Sequence, residues 1–447
     1  MKPSKYNFII QHQGKTLIYN TLNSSLVEIN PLLTSLLEQE RIEVDRFAPF
    51  AQGFLREMAK NGFIIDDEID EIKILKNIFN KARYRSNILE LVIAPTMACN
   101  FNCSYCFEQG IDVEQGSPIF MSEEVQQALL CFVKKNIKGK TKLRITWYGG
   151  EPMLAYDIIF NLSEKLIKIA EENNVAYLPD IITNGYVIGQ NPALIEKLIL
   201  AKIKYYQITL DGTPEIHNQR RCLKSNPEKG TFDTIMKGIE ALNKEGLMVS
   251  VRINVDSSNT EDAQNLLDIF EEKGLKDVCV YVSPVQKTSV TGDEISECPC
   301  LTNEDVFQMK DDFDKLLKKK GFKVFENIPR MHLVCCANLH GAFVIDPDGD
   351  LYKCFWEISH KEKSCGSLIN EHSKLQRFQE IKYITWEPFE FAQCLECKAL
   401  PVCMGGCPDR ILRNQGKPDC SGQDNIINHI TKSIKDGKIK ENIYVFH

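Results

Sequence analysis

The stretch Cys99-Asn-Phe-Asn-Cys103-Ser-Tyr-Cys106 decides how the rest of the chain is interpreted. It follows the apolar run Leu89-Glu-Leu-Val-Ile-Ala-Pro95, which predicts a buried parallel strand that ends at the proline. The cysteines therefore lie on a loop at the carboxyl end of a strand, where α/β folds place their active sites. Three thiolates at this density favour zinc or an iron–sulfur cluster. Either a distant residue supplies a fourth ligand, or a cluster keeps one iron open.

From residue 89 onward the sequence alternates between strands and amphipathic helices. Strands are predicted at 89–94, 143–147, 181–183, 205–209, 249–255 and 278–282. Helices are predicted at 156–172, 192–201, 232–244 and 260–273. A further helix begins after its cap, Ser122. Its apolar residues fall on one face: Val125, Leu129, Phe132, Val133 and Ile137. Right-handed crossovers between six such units predict an α/β fold with a parallel sheet, curled into a partial (β/α)6 TIM-like barrel.

Polar segments follow several of these strands. Tyr148-Gly149-Gly150-Glu151-Pro152 offers two glycines that let a ligand approach the backbone and a carboxylate that can hold an ammonium group. Thr183-Asn184-Gly185 and Thr209-Leu210-Asp211-Gly212 follow the next two strands, with Arg220-Arg221 shortly after. Arg252-Ile253-Asn254 lies on the fifth strand. In a parallel sheet these strand ends lie along one edge, which predicts one shared site.

The Cys-x3-Cys-x2-Cys spacing, with Tyr105 before the last cysteine, resembles the signature of the radical S-adenosylmethionine (radical SAM) enzymes. The resemblance implies that Cys99, Cys103 and Cys106 bind a [4Fe–4S] cluster whose open iron is chelated by S-adenosylmethionine. Reductive cleavage of this cofactor gives a 5′-deoxyadenosyl radical that abstracts a substrate hydrogen. The strand-end segments match the family's cofactor-binding motifs, which implies contacts with the cofactor from Tyr105, Gly149, Gly150, Glu151, Thr183, Asn184, Arg221 and Asn254. Of these, Glu151 would hold the amino group, and Arg221 would lie near the carboxylate.

A second set of cysteines follows residue 330. A hairpin with its turn at Asp346-Pro-Asp-Gly349 is predicted to present Cys354. The order Cys336, Cys354, Cys394-x2-Cys397-x5-Cys403-x3-Cys407 and Cys420 resembles the SPASM domain over about 330–425. That resemblance implies two auxiliary [4Fe–4S] clusters, and so three clusters in all. One would be bound by Cys336, Cys354 and Cys407, and the other by Cys394, Cys397, Cys403 and Cys420.

The first auxiliary cluster lacks a fourth cysteine in this pattern. Cys365 or Cys335 could complete it, or its iron could be left open for a substrate thiolate. A double zinc ribbon with tetrahedral thiolates is the alternative for the whole region. Free cysteines outside these motifs are expected to be buried as small apolar residues. They are Cys131, Cys222, Cys279, Cys298 and Cys300.

The first seventy residues predict a separate small module. Three alternating strands within residues 4–30 are followed by helices at 32–37 and 47–60, the second ending at Asn61-Gly62. This layout resembles the PqqD-like winged-helix peptide recognition domain, which binds a leader peptide by adding it as a strand to a sheet edge. A capping or dimerisation module is the alternative. The predicted domains are 1–70 for recognition, 71–88 for a helical linker, 89–310 for the barrel and 311–447 for the SPASM domain.

Composition narrows the class of protein. The chain has 447 residues, of which 43% are hydrophobic, and no run long enough to span a bilayer, which predicts a soluble globular protein. Seventeen cysteines without an export signal predict a cytoplasmic protein that binds metal and lacks disulfides. A net charge of −7 with both signs interspersed predicts no nucleic-acid partner, and no membrane partner is expected.

The three predicted parts together resemble peptide-modifying maturases. This leads to the hypothesis that the enzyme joins a carbon of a ribosomal precursor peptide to a cysteine sulfur, forming a thioether. The partners would be the precursor peptide, with its leader on the N-terminal domain, and an external electron donor of the flavodoxin or ferredoxin type. A carbon–carbon crosslink to an aromatic side chain is the first alternative. Formylglycine formation on a sulfatase is the second, and no general base is evident in the sequence.

Overall fold

A computed structural model describes residues 1–85, 87–108, 120–285, 299–324, 334–370, 374–420, 423–435 and 443–445. It contains two compact units. The first combines Met1–Tyr84, Glu326–Leu339 and Tyr383–His447, and the second combines Arg85–Phe325 and His340–Lys382. None of the helices within the described ranges is long and apolar enough to cross a membrane.

The strands and helices are numbered here in chain order. The strands are β1 (Lys2–Pro3), β2 (Asn7–His12), β3 (Lys15–Asn20), β4 (Leu26–Ile29), β5 (Ile64–Ile65), β6 (Ile88–Ile93), β7 (Lys142–Trp147), β8 (Ala176–Thr183), β9 (Tyr205–Thr209), β10 (Met248–Val255), β11 (Cys279–Pro284), β12 (Ala342–Ile345), β13 (Asp350–Tyr352), β14 (Gly366–Ser367) and β15 (Ile443–Val445). The helices are α1 (Pro49–Lys60), α2 (Glu71–Arg83), α3 (Glu123–Asn136), α4 (Tyr156–Glu172), α5 (Tyr186–Gln190), α6 (Leu194–Leu200), α7 (Pro214–Arg220), α8 (Phe232–Lys244), α9 (Thr260–Glu272), α10 (Asn303–Lys320), α11 (Lys374–Thr385), α12 (Ala392–Leu395), α13 (Leu400–Cys403), α14 (Pro408–Arg413) and α15 (Gln423–Lys435).

The second unit is organised around six parallel strands in the order β11-β10-β9-β8-β7-β6. This confirms the predicted α/β fold with a parallel sheet. The register brings the carboxyl ends of neighbouring strands side by side, pairing Ile93 with Trp147, Trp147 with Ile181 and Thr209 with Arg252. The polar segments that follow these strands therefore start from one edge of the sheet.

Helices cover the sheet through the apolar faces that the sequence predicts. On α3, Val125, Leu129 and Val133 are buried in the main core, and the Ser122 hydroxyl accepts a hydrogen bond from the Val125 N–H at 3.3 Å. This cap satisfies one of the free backbone donors at the start of the helix. The bounds of α4 and α8 coincide with the predicted helices.

The parallel sheet continues into a part of the chain that was predicted to belong to the SPASM domain. The predicted hairpin is present, since β12 and β13 pair antiparallel and Gly349 has φ of 85°. However, β12 also pairs in parallel with β6, with Val344 opposite Val92, and β14 extends the sheet beyond β13. Residues 340–382 consequently belong to the same compact unit as the six parallel strands.

The hairpin turn holds a buried carboxyl group, Asp346. Its oxygens accept hydrogen bonds from the Asp348 and Asp350 N–H groups at 3.1 and 2.9 Å and from the Tyr352 hydroxyl at 2.9 Å. Burial, reinforced by the nearby Asp350 carboxylate, raises the pKa of Asp346 to about 7. The folded state therefore favours the protonated form, and its stabilisation is lost as the pH rises from about 4 to about 7.

We expect Asp346→Asn to flatten the pH dependence of stability. Asparagine keeps an acceptor for the two backbone donors and adds no charge, so the variant should gain on the order of 3 kcal/mol over the wild type between pH 5 and pH 8. Melting temperatures of both proteins at the two pH values measure this. Asp348→Asn, at a partly exposed neighbour, is the matched control, and parallel wild-type and Asp346→Asn curves would contradict the prediction.

The first unit contains the three predicted N-terminal strands as β2, β3 and β4, joined in the sheet order β15-β4-β3-β2. The apolar residues of α1 pack in one core with Ile18 and Val27, whereas Ile430 and Ile434 of α15 pack in another with Leu17 and Leu26. The sheet thus has a helix on each face. The helix predicted at 32–37 is a 3-10 helix at Pro31–Glu38, and the next begins at Pro49 because proline favours the first helical turn.

The predicted linker, residues 71–88, contains α2, which packs within the first unit. Leu75 and Phe79 share a core with Phe389. The fully buried Arg83 guanidinium binds the Glu387 carboxylate at 2.7 Å and the Trp386 carbonyl at 2.8 Å. These contacts make α2 a structural element of this unit. Resemblance of the N-terminal module to a PqqD-like domain stays a prediction.

Candidate active site

The loop after β6 carries the three cysteines of the motif, Cys99, Cys103 and Cys106. Cys103 is buried, and Cys99 and Cys106 are half-buried. Burial raises the pKa of Cys99 and of Cys106 to about 12, while the Arg221 guanidinium acts in the opposite direction on all three thiols. Each of these thiols would need a metal to become a thiolate, because coordination deprotonates cysteine. The donor set, three cysteine thiols on one loop, fits an iron–sulfur cluster.

The backbone of the glycine loop after β7, residues 149–151, packs closely against the cysteine loop. The Gly150 and Glu151 N–H groups donate to the carbonyls of Thr96 at 3.2 Å and Ala98 at 2.9 Å. Gly149 has φ of 117°, and a Cβ atom on Gly150 would lie 2.6 Å from the Ala98 carbonyl oxygen. Both positions therefore require glycine. The pairing also fixes the backbone immediately before Cys99.

Glu151 is fully buried and joins three segments of the site. Its Oε1 accepts hydrogen bonds from the Thr183 hydroxyl at 2.6 Å and the Met153 N–H at 2.9 Å, and its Oε2 accepts one from the Asn184 N–H at 2.6 Å. Burial raises the pKa of Glu151, and these hydrogen bonds oppose the shift. The Asn184 amide in turn donates to the Asn100 side chain at 2.8 Å. The Gly-Gly-Glu and Thr-Asn segments are thus brought to the cysteine loop.

The Tyr105 hydroxyl connects the cysteine loop to the far strands. It donates to the Asp211 carboxylate and accepts from the Arg221 guanidinium at 2.6 Å and the Asn254 amide at 3.2 Å. Asp211 also accepts from the Asn254 N–H at 3.0 Å and lies 3.6 Å from the Arg220 guanidinium. Asp211 is fully buried and was missed by the sequence analysis, although its place after β9 gave a signal.

A second missed residue is Glu108, two positions after Cys106. It hydrogen-bonds to Tyr148, and burial raises its pKa to about 7. Its Oε1 is buried with no hydrogen-bond partner among the residues that the structure describes. A carboxyl group with this pKa can accept or release a proton near neutral pH. The signal in the sequence was an acidic residue directly beside three cysteines.

The region that contains these loops matches a known protein family. Residues 93–281 match the model of the Radical SAM superfamily, and this segment spans the cysteine loop, the glycine loop and the strands up to β11. The segment is a radical SAM domain. It covers less than half of the chain, and it contains all eight residues predicted to contact S-adenosylmethionine.

Two relatives align with most of the chain. The chain is 24% identical to a cysteine-type anaerobic sulfatase-maturating enzyme of Clostridium novyi, over 80% of this chain and 97% of that one. It is 21% identical to the radical SAM cyclopropyl synthase TigE of Paramaledivibacter caminithermalis, over 92% and 90%. The protein is thus a radical SAM enzyme.

Solved structures share the fold. The structure of native anSMEcpe with bound AdoMet superposes with a TM-score of 0.61 at 21% identity and covers 79% of this chain and 99% of that one. Streptococcus suis SuiB bound to the precursor peptide SuiA superposes with a TM-score of 0.54 at 17% identity, covering 94% and 99%. The chain therefore shares the fold of these two proteins.

Outside the radical SAM domain, four cysteines of the first unit lie close together. Cys397, Cys403 and Cys420 each act on the pKa of Cys394, which burial raises to about 12. These four cysteines are the set predicted for one auxiliary cluster, and that assignment stays a prediction. The Sγ atoms of Cys335 and Cys336 are 4.0 Å apart. Within the described ranges, no three His, Cys, Asp or Glu side chains converge on a point suited to a single metal ion.

The remaining cysteines differ from one another. Cys365 is buried, and its thiol donates to the Leu351 carbonyl at 3.2 Å. Cys131 is exposed, and Cys222 and Cys279 are half-buried, so the expectation that they are buried is wrong for Cys131. Cys300 is disulfide-bonded, contrary to the expectation of free thiols throughout. Cys298 lies outside the described residues.

Proposed function

We propose that this radical SAM enzyme forms a thioether in a ribosomally synthesised precursor peptide. S-adenosylmethionine would bind among the residues described above. Glu151 and the Gly149–Gly150 backbone would contact its amino group, and Arg221 would lie near its carboxylate. The other residues predicted to contact it are Tyr105, Thr183, Asn184 and Asn254. When bound, the cluster and S-adenosylmethionine supply the radical that takes one hydrogen atom from the peptide. The cysteine thiol of the peptide would lose a proton, and an auxiliary cluster would accept the remaining electron.

The observation that carries the choice of a thioether is the state of Cys365. The buried Cys365 thiol donates a hydrogen bond to the Leu351 carbonyl at 3.2 Å, and binding iron would break this contact. Cys365 is therefore less suited to be an iron ligand than a cysteine that makes no such hydrogen bond. This favours an auxiliary iron left open for a substrate thiolate. Thiolate binding to iron would lower the cost of deprotonating the nucleophile.

We expect Cys365→Ala to leave the iron content unchanged and Cys354→Ala to remove about four irons per chain, the content of one [4Fe–4S] cluster. The reason is that only Cys354 belongs to the proposed ligand set. Iron and sulfide assays on anaerobically purified protein measure both variants. Loss of iron on replacing Cys365 would contradict the open-site proposal and would favour a carbon–carbon crosslink, which requires no open iron.

The function itself is tested by co-expressing the enzyme anaerobically with the peptide encoded by a small reading frame beside its gene. The peptide is alkylated at its thiols and its mass is compared with that from the Cys103→Ala enzyme. We expect loss of two hydrogens for each bond, together with loss of one alkylatable cysteine. Loss of hydrogens with every cysteine still alkylatable would refute the thioether and support a carbon–carbon crosslink.

Sulfatase maturation is a second candidate, because two relatives that align over most of this chain are sulfatase-maturating enzymes. That reaction oxidises one cysteine or serine side chain of a sulfatase to formylglycine and forms no crosslink. Incubation of the reduced enzyme with a peptide that carries a sulfatase-type cysteine distinguishes the two. A mass change that marks an aldehyde, trapped by a hydrazide, would support the second candidate.

A further inference from the structure

One guanidinium of the second unit has a fixed position and free terminal nitrogens. Arg252 lies on β10, where it pairs in register with Tyr281 of β11. Its neighbours Val251 and Ile253 are fully buried in the core that the helices cover. Because successive residues of a strand face opposite sides, Arg252 faces the other side of the sheet. Its Nε donates a hydrogen bond to the Asn254 Oδ1 at 2.8 Å, which fixes the guanidinium.

This hydrogen bond connects Arg252 to the residues that are proposed to contact S-adenosylmethionine. The Asn254 amide also donates to the Tyr105 hydroxyl at 3.2 Å, and Arg221 donates to the same hydroxyl at 2.6 Å. Asn254 follows Arg252 by two residues, a step of about 7 Å along a strand. A group that binds to Arg252 therefore lies next to the proposed cofactor site, on the same side of the sheet.

Carboxylates near this part of the site already have partners. Asp211 accepts a hydrogen bond from Tyr105, and Asp256 binds the Arg220 guanidinium at 2.9 Å. By contrast, Arg252 forms no ion pair with any residue that the structure describes, and its one hydrogen bond there is through Nε. Neither terminal nitrogen of Arg252 is among the buried polar atoms without a partner. Both nitrogens are therefore open to solvent and to a ligand.

A second cation lies near Arg252. Partial burial and the Arg252 guanidinium lower the pKa of Lys310 on α10, and the Asp314 carboxylate opposes this shift. Lys310, like Arg252, has no ion pair within the described part of the chain. Burial also raises the pKa of Tyr281 to about 12, and the Arg252 charge acts against that shift. An anion bound here would relieve the repulsion between two like charges.

We propose that Arg252, with Lys310 nearby, binds a carboxylate of the peptide substrate, so that the enzyme selects an aspartate or glutamate close to the residue that it modifies. The two free nitrogens of a guanidinium match the two oxygens of a carboxylate. An extended peptide advances about 3.5 Å per residue, which places the acidic residue within about three residues of the carbon that loses hydrogen. The inference rests on the proposed peptide-modifying function for the source of the carboxylate.

The first test does not depend on the reaction. The anaerobic holoenzyme, saturated with S-adenosylmethionine, is treated with phenylglyoxal, and labelling of each arginine is followed by mass spectrometry. Saturating N-acetylglutamate should slow the labelling of Arg252 at least about fivefold, because the carboxylate covers both free nitrogens, whereas neutral N-acetylglutamine should not. Arg144 is the internal control, since its side chain is 54% exposed and should label equally with both probes. Equal labelling of Arg252 with both probes would overturn the inference.

The second test uses the precursor peptide encoded beside the gene. Arg252→Gln should raise KM at least about tenfold with kcat near the wild-type value, because a charged hydrogen bond made to bound substrate is lost. Arg252→Lys should recover part of the loss, and Arg144→Gln should behave like the wild type. Amide replacement of one acidic residue of the peptide should raise the KM of the wild type equally and have no further effect in Arg252→Gln.

The remaining outcomes separate the inference from the proposed function. A KM that rises only when the peptide's C-terminus is amidated would overturn the selection of an acidic side chain. Weaker binding of S-adenosylmethionine to Arg252→Gln in calorimetry, with the peptide KM unchanged, would show that Arg252 is a cofactor ligand and overturn the inference. If that variant does not fold, the labelling of the wild type decides. Protection of Arg252 by N-acetylglutamate without any peptide modification would refute only the proposed function.

Discussion

Replacement of Glu151 by glutamine is expected to weaken S-adenosylmethionine binding by at least about tenfold while the iron content stays at the wild-type level. The carboxylate accepts three hydrogen bonds, from Thr183, Met153 and Asn184. Glutamine has one acceptor oxygen and turns an NH2 group toward these donors. A lost hydrogen bond to a buried charged group costs about 1.5–3 kcal/mol, and the variant also lacks the charge that complements an ammonium group.

Calorimetric titration of the anaerobic enzyme with S-adenosylmethionine measures this effect, and an iron assay monitors the cluster. Glu90→Gln is the matched control, because Glu90 lies on neighbouring β6 and only approaches Arg144, at 4.0 Å. We expect that variant to bind the cofactor normally. Unchanged affinity in Glu151→Gln would show that the carboxylate only organises the surrounding loops and does not hold the amino group.

The second large effect is expected from Gly150→Ala, which should lower the free energy of unfolding by about 1–3 kcal/mol and reduce the retained iron. The added methyl group would meet the Met97 and Ala98 carbonyl oxygens, which are backbone atoms that cannot rotate away. Relief requires movement of the segment just before Cys99. The cluster ligands would then be displaced together with that segment.

Denaturant unfolding and an iron assay on the purified variant measure the two effects. Gly53→Ala is the matched control. Gly53 lies within α1, and among the described residues no heavy atom outside its chain neighbours and its own helix backbone lies within 4 Å of the Cβ position. Alanine there should therefore stabilise the helix by about 0.5–1 kcal/mol. Normal iron and stability in Gly150→Ala would mean that the two loops are not rigidly coupled.

The parallel sheet and its helices could be predicted from sequence because these elements carry local signals. Strand β9 and helices α4 and α8 have the predicted bounds, since apolar runs and helical periodicity are properties of short segments. The grouping of the site residues also followed from the sequence. Once the strands were parallel and adjacent, Glu151 and Thr183 had to lie near each other, and their side chains are hydrogen-bonded at 2.6 Å.

Features that depend on pairing between distant segments were not predicted. β12 was expected in a separate domain, because nothing in its four residues indicates that the neighbour is β6. β15 is only three residues long and gave no strand signal. Asp211 and Glu108 were not assigned, since a carboxylate gains its role from partners such as Tyr105 and Tyr148 that lie far along the chain.

The pairing of β12 with β6 has a consequence for the order in which the chain is made. β6, the strand that leads to the cysteine loop, gains its second neighbour only when residues 342–345 have been synthesised, long after β7 has paired with its other side. Until then an apolar strand edge stays open to other nascent chains. We therefore expect residues 85–310 to aggregate when they are expressed alone, and residues 85–382, which include β12 and complete the second unit, to stay dispersed in sedimentation assays.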